Sequence, residues 1–320
     1  MKRLYIYIVI LVFLLTGCTN TTSPAASDSP DFTTNITMTD STGAEVSVIP
    51  VPKNVVALSA SLAELWLEAG GKIAGTTSDT LEKGRLDTTR IENAEFSGVQ
   101  NVGTVSEPSA ELILALNPDF VILSASMSGH KAVAKVLEEA DVPFYFADAD
   151  SFSDYLEVFK DFTDLTVRTD LYEKYGEAQE AAIDKMLQAI SSEKKITALA
   201  LRAFSSGVSA KAAGTVLTNI LDKIDVTNIA SSDKALVENL SLEKVVEINP
   251  DYVFIVYMGQ EKEKTETYLQ QNLYDDPVWG TLTATRENKV IILPQDLFHF
   301  KPNGRWEEAY SYLIKILYQQ

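Results

Sequence analysis

One stretch of this chain occurs twice, and that repetition constrains the fold more than any other feature. Residues 109–123 read Ser-Ala-Glu-Leu-Ile-Leu-Ala-Leu-Asn-Pro-Asp-Phe-Val-Ile-Leu, and residues 241–255 read Ser-Leu-Glu-Lys-Val-Val-Glu-Ile-Asn-Pro-Asp-Tyr-Val-Phe-Ile. Ser, Glu, Asn-Pro-Asp and Val recur at equal offsets, 132 positions apart. Two copies are too few for a solenoid, which needs three or more repeats. They point instead to two lobes of like construction.

Each copy has the same physical logic. The leading Ser can cap a short helix by accepting a hydrogen bond from an unpaired backbone N–H. The Glu two residues on, Glu111 or Glu243, lies in the first turn, where the helix dipole favours negative charge. Pro118 and Pro250 disfavour the α conformation at the preceding Asn and so end the helix. The apolar runs that follow, residues 120–123 and 252–256, are rich in β-branched and aromatic side chains and read as buried strands of a parallel sheet. Each copy is a helix-turn-strand unit.

The rest of the chain continues the alternation. Residues 35–38 and 45–48 alternate in polarity around Asp40-Ser-Thr-Gly43, the pattern of a β-hairpin. A strand at 55–58, a helix at 62–69 stopped by Gly70-Gly71, and a strand at 73–76 precede the first repeat, with a polar loop at 80–95. A helix at 131–140 and a strand at 142–146 follow it. Residues 151–190 carry a helical pattern throughout, and 170–190 hold no Pro and one Gly, enough for a single helix of about 30 Å. Beyond it come a strand at 196–204, a helix at 215–224, the second repeat, a charged insertion at 261–266, a strand at 289–293 and a helix at 307–318. Strands alternating with helices over connections this long form parallel α/β lobes. The boundaries are 32–165 for the first lobe, 166–192 for the connecting helix and 193–320 for the second lobe.

The start of the chain reads as a targeting segment. Lys2 and Arg3 precede an apolar run of 12 residues, 4–15, too short to span a bilayer well but suited to a signal peptide. It ends in Leu15-Thr16-Gly17-Cys18, which resembles the bacterial lipobox and implies cleavage of residues 1–17 and a lipid on Cys18. Residues 18–31, rich in Thr, Ser, Pro and Ala, then form a flexible tether. The protein is expected outside the cytoplasm, held at the membrane surface. The alternatives are a buried cysteine or a plain membrane anchor.

Composition excludes several functions. A formal charge of −18 argues against nucleic acid, whose binding rests on Lys and Arg contacts to phosphate. One cysteine and two histidines rule out an internal disulfide and the usual four-ligand Cys/His zinc site. No Gly-x-Ser-x-Gly elbow, P-loop or Gly-x-Gly-x-x-Gly fingerprint occurs, which disfavours an extracellular hydrolase.

Ligands of open α/β sheets bind beyond the carboxyl ends of the strands. Those ends supply Ser59, Ser61, Thr77 and the segment 124–130, of which Met127 and His130 are the most distinctive. His130 reads either as a cleft residue or as an ordinary helix-start or surface histidine. In the second half Arg202 and Tyr257 join the candidates. The tail Phe298-His-Phe-Lys301-Pro-Asn-Gly-Arg305-Trp306 gathers aromatic and cationic groups suited to a large anionic or conjugated ligand. The alternative is a loop that packs Trp306 under the final helix and leaves Arg305 as a surface charge.

Taken together, the lipobox, the Gly-containing hairpin before the strand at 55–58, Asn101-Val-Gly103 leading to Ser109-x-Glu111 and Asn117-Pro-Asp119, and the closing Arg305-Trp306 helix resemble one family. These are the solute-binding lipoproteins of ABC importers for ferric siderophores, haem and cobalamin, the long-helix-linked periplasmic binding proteins. The resemblance covers nearly the whole mature chain. It implies an α/β fold of two Rossmann-like lobes with parallel sheets, joined by a single long α-helix, with a ligand cleft between them. It also implies no enzymatic activity and no resident cofactor or metal, and a monomer that delivers a chelated metal to a permease dimer and, through it, to an ATPase. One glutamate per lobe, Glu111 and Glu243, docks on the permease in this picture. With so few histidines, a chelate is expected rather than a bare zinc or manganese ion, and bare ferric iron held by some of the 13 tyrosines stays open as an alternative. A ferric siderophore is the first expectation, with Arg202, Lys301 and Arg305 placed to neutralise an anionic complex; a corrinoid or haem is the alternative. A surface lipoprotein without a transport role is the remote one.

Overall fold

Asp40 turns the first hairpin. Its Oδ1 accepts the backbone N–H groups of Thr42 and Ala44 at 2.8 and 3.0 Å, and Gly43 takes φ 87°, between strands β1 (Ile36–Thr39) and β2 (Glu45–Val48). A computed structural model describes residues 34–82, 98–190 and 195–318. Cys18, the signal segment, the tether and most of the polar loop lie outside the described residues.

Two parallel sheets follow. The first contains β3 (Val55–Ala57), β4 (Gly75–Thr76), β5 (Gln100–Asn101), β6 (Phe120–Leu123) and β7 (Phe144–Phe146), in the order β5-β4-β3-β6-β7. The second contains β8 (Ile196–Phe204), β9 (Gly207–Ala210), β10 (Val226–Asn228), β11 (Tyr252–Tyr257) and β12 (Val290–Leu293), in the order β10-β8-β11-β12. β9 folds back antiparallel on the end of β8. The two repeat strands occupy equivalent places, β6 against β3 and β11 against β8. Both are buried at every residue, as strands covered by helices on both faces must be. All described residues belong to one compact unit.

The repeated Asn-Pro-Asp has a structural purpose in each sheet. Asn117 and Asn249 take left-handed φ of 49° and 52°, which turns the chain out of its helix, Ala110–Ala115 or Leu242–Ile248. The Asp then reaches the start of the neighbouring strand. Asp119 accepts the N–H groups of Lys53 and Asn54 at 2.8 and 2.9 Å, just ahead of β3. Asp251 accepts both the N–H and the hydroxyl of Thr197, at the start of β8, at 2.9 Å each. The motif sets strand register by satisfying backbone donors that would otherwise stand open at the sheet end.

The connection between the sheets is helical. Helix Phe152–Leu165 starts on a capping box of Ser151 and Asp154. After a short turn, a helical rod runs as Thr169–Tyr172, a π-turn at Glu173–Glu177 and Ala178–Ala189. The sequence predicts an unbroken α-helix here, and the π-turn is the departure. It surrounds the rod's single glycine, Gly176, where a Cβ would come within 3.0 Å of the Tyr172 ring. Strands β9 and β10 are further departures, because both are short and lack a clear alternation. The charged insertion is helical, as part of Lys262–Leu269.

Aromatic packing ties the halves together. Trp66 is fully buried against Phe162 and Phe120, at ring distances of 5.3 and 5.8 Å, and its Nε1 donates to the Lys72 carbonyl at 2.9 Å. Gly71 is obligatory beside it, because a Cβ there would sit 2.1 Å from the indole. Trp306, at the start of the final helix (Trp306–Tyr318), packs on Phe152 and Tyr155 at 5.9 and 6.4 Å.

Candidate functional site

A cavity of about 590 Å³ opens where the carboxyl ends of the two sheets meet. Its lining follows strand after strand: Ser59 and Ser61 after β3, Asp79 after β4, Val105 after β5, Ser124 and Met127 after β6, Asp148 after β7. The second sheet supplies Ser205 after β8 and Met258 to Glu261 after β11, and His299, Phe300 and Lys301 come from the loop beyond β12. Parallel strands deliver all their C-terminal loops to one edge, so two facing sheets create such a cleft without any special motif. The volume lies in the range of small-molecule sites.

Local hydrogen bonds hold the lining in place. The Ser59 hydroxyl caps the helix Ala60–Glu68 by accepting from Leu62 N–H. Asp148 accepts from the Ser124 hydroxyl at 2.5 Å and from Ala125 N–H at 3.1 Å. Asp79 accepts Val105 N–H at 2.8 Å. Across the cleft, Asn303 donates to the Ser61 carbonyl at 3.1 Å, and Lys301 forms an ion pair with Asp150. Lys301 and Asn303 both take left-handed φ, 75° and 45°, to make that bridge.

Of the residues expected at the ligand, Ser59, Ser61, Met127 and Lys301 line the cavity, and the others stand elsewhere. Thr77 is fully buried, its hydroxyl 3.0 Å from that of Thr80. His130 is also fully buried, one layer below the cavity. Its Nδ1 accepts Ser124 N–H at 2.9 Å, so Nε2 carries the proton and donates to the Val105 carbonyl at 3.0 Å. Burial holds its pKa below the ordinary 6.5. It therefore binds two lining loops together rather than facing a ligand. Tyr257 ends β11 on the face turned into the core with Trp279, and burial pushes its phenol up to about 12. Arg202 is half-buried off the cavity; burial lowers its pKa while the nearby Asp150 raises it. Phe298 packs on Tyr312 at 6.0 Å. Trp306 is core, 1% exposed.

Arg305 is held by Glu308, at 2.8 and 2.9 Å, and by Asp296 at 2.7 Å. Those carboxylates push its pKa up, and it lines a different depression along the final helix. Thr77, Arg202 and Tyr257 lie at or near strand ends, where side chains alternate between faces and sequence adjacency does not say which way each turns; His130, Phe298, Arg305 and Trp306 lie in helical segments, where packing decides which face is covered. Sequence reasoning missed several lining residues, Asp79, Val105, Asp148 and Ser205 among them, and of all those missed Met258 to Glu261 had a usable signal. They follow the second repeat as Ser124 to Met127 follow the first.

Glu111 and Glu243 are both exposed, in the first turns of helices capped by Ser109 and Ser241. Each helix runs back toward the amino end of its repeat strand, so its first turn stands at the sheet edge that carries the cavity. Among the described residues, no group of three or more His, Cys, Asp or Glu is placed to hold a metal ion, and no helix is long and apolar enough to cross a membrane.

Two facing parallel sheets, a helical rod between them and a cavity at their strand ends define a two-lobed solute-binding protein. The profile of the periplasmic binding protein family matches residues 55–297, and the chain belongs to that family. It is 23% identical over 293 residues to the Fe(3+)-citrate-binding protein YfmC of Bacillus subtilis, spanning 90% of this chain and 88% of the relative. It is 24% identical over 248 residues to the Fe(3+) dicitrate-binding periplasmic protein FecB of Escherichia coli, spanning 75% and 76%. An ABC transporter substrate-binding protein from Listeria monocytogenes superposes with a TM-score of 0.68 at 20% identity, over 84% of this chain and 99% of that one. The family consists of extracytoplasmic binding proteins that serve ABC permeases, not of enzymes.

Proposed function

We propose that this chain is the receptor of an ABC importer for a ferric chelate of the siderophore type. The cargo sits in the cavity between lobes 32–165 and 193–320, and the rod within 166–192 limits how far they part. The observation that carries this reading is the cavity itself, built mainly from segments that follow the strand ends of both sheets and sized for a small molecule. Kinship to two binding proteins named for ferric citrate supports iron as the metal delivered. Lipid on Cys18 holds the monomer at the outer face of the membrane by the tether 18–31. Glu111 and Glu243, one on each lobe, meet cationic groups of the permease dimer, whose ATPase drives release.

The test is to purify the protein from its own membranes under iron limitation and analyse what it retains. An iron complex at about one per chain is expected. A cobalt corrinoid or a haem in its place would count against the ferric-chelate reading.

A further inference from the structure

Among the described residues three carboxylates line the cavity, Asp79, Asp148 and Glu261, against one lysine, Lys301. Lys301 is already paired with Asp150, and Glu261 with Lys264. The donors to Asp79 and Asp148 are backbone N–H groups and a serine hydroxyl, which orient a carboxylate without cancelling its charge. Among the described residues no arginine lines the cavity. Arg202 stands behind it, and Arg305 is bound to Asp296 and Glu308. The remaining described surface is mainly hydroxyl and apolar, with Ser59, Ser61, Met127, Met258 and Phe300, beside the amides of Gln260 and Asn303 and the imidazole of His299.

We propose that the cargo is a ferric chelate of zero or positive net charge with an apolar, amide-rich exterior, and that the cavity discriminates against polyanionic ferric citrate. The inference rests on the ferric-chelate reading above and narrows it. A multiply charged anion entering this cleft would lose hydration, find among the described lining residues only a lysine already paired with Asp150, and meet the fields of Asp79 and Asp148. Like charges brought together at low dielectric are a means of rejecting wrong partners. Iron(III) bound by three hydroxamates is neutral, and an added free ammonium makes it cationic. The methylene arms of such a chelate can lie on Met127, Met258 and Phe300, because thioethers and aromatic rings adapt to irregular apolar shapes. Its carbonyl oxygens can accept from the serine hydroxyls. In this respect the chain departs from both relatives named for ferric citrate.

Calorimetric titration of the detergent-solubilised full-length protein tests this with a neutral ferric trihydroxamate, its ammonium-bearing counterpart and ferric citrate, at low and high salt. Both hydroxamates should bind at least about tenfold more tightly than ferric citrate. The lead of the cationic probe over the neutral one should shrink with added salt, as screening requires. Ferric citrate binding as tightly as the hydroxamates, or more so, overturns the inference and leaves the ferric-chelate reading standing. Failure of all three ferric probes, with haem or cobalamin binding instead, overturns that reading as well. In Asp148→Asn and, separately, Asp79→Asn, the affinity ratio of ferric citrate to neutral hydroxamate should rise. An unchanged ratio in both variants overturns the electrostatic basis of the discrimination, and the salt series on the unaltered protein decides the same question if either variant fails to fold.

Discussion

Asp251 and Thr197 hold each other reciprocally. The carboxylate Oδ2 of Asp251 accepts the N–H and the hydroxyl of Thr197 at 2.9 Å, and Thr197 Oγ1 accepts Asp251 N–H at 3.1 Å. This closes the amino end of β8 against β11, the central pair of the second sheet. Asp251→Ala leaves Thr197 N–H without its acceptor. It should lower stability by about 1–3 kcal/mol, the cost of orphaning a donor bonded to a charged group. Asp119→Ala, at the equivalent and more exposed place, should cost less. Urea midpoints at constant slope check both.

The neutral His130 makes a pH prediction. Its folded pKa lies below the ordinary 6.5 because burial disfavours the charged ring. The unfolded chain therefore takes up a proton first as pH falls. The contribution to stability is fully present above about pH 6.5 and is lost progressively below it. Denaturation at pH 7.5, 6.5 and 5.5 should show the decline, and His130→Asn should flatten that part of the curve. An identical pH slope in the variant would remove His130 from the account.

Glu111 and Glu243 are exposed and symmetry-related, so reversing both charges should separate docking from binding. Glu111→Arg with Glu243→Arg should abolish uptake in cells while the purified protein binds its cargo with unchanged affinity. Exposed charges act mainly on encounter and orientation, so the single variants should retain partial uptake. Transport that survives the double reversal would rule out the docking role.

Trp306 joins the two halves through Phe152 and Tyr155. Trp306→Ala should cost about 3–5 kcal/mol, the usual range for deleting a buried aromatic ring. Because the contact lies outside the cavity lining, the affinity measured well below the melting temperature should change much less than the stability.

How much of the fold and site is legible in the sequence depends on the range of the interaction. The helix caps at Ser109 and Ser241, the Asn-Pro-Asp turns, the buried repeat strands and the helical rod follow from local rules, because capping, proline sterics and apolar periodicity act within a few residues. The duplicated stretch announces two like sheets for the same reason. The cavity is only partly legible. Ser59, Ser61 and Met127 can be placed because they follow predicted strand ends. Tyr257 and Met258 are adjacent, yet one belongs to the core and the other to the lining, a choice made by the twist and pairing of β11.

The sequence by itself determined the fold class, the order of its principal elements and the two equivalent glutamates, because these rest on local chemistry repeated in two places. Only the tertiary structure decided the character of the site. It buried His130 beneath the lining as a tie between Ser124 and Val105, and it bound Arg305 to Asp296 and Glu308. It also brought Asp79, Asp148 and Glu261, separated by up to 182 positions, to one cleft. Charge in a binding site is a sum over residues distant in the chain, and that sum exists only once the chain has folded.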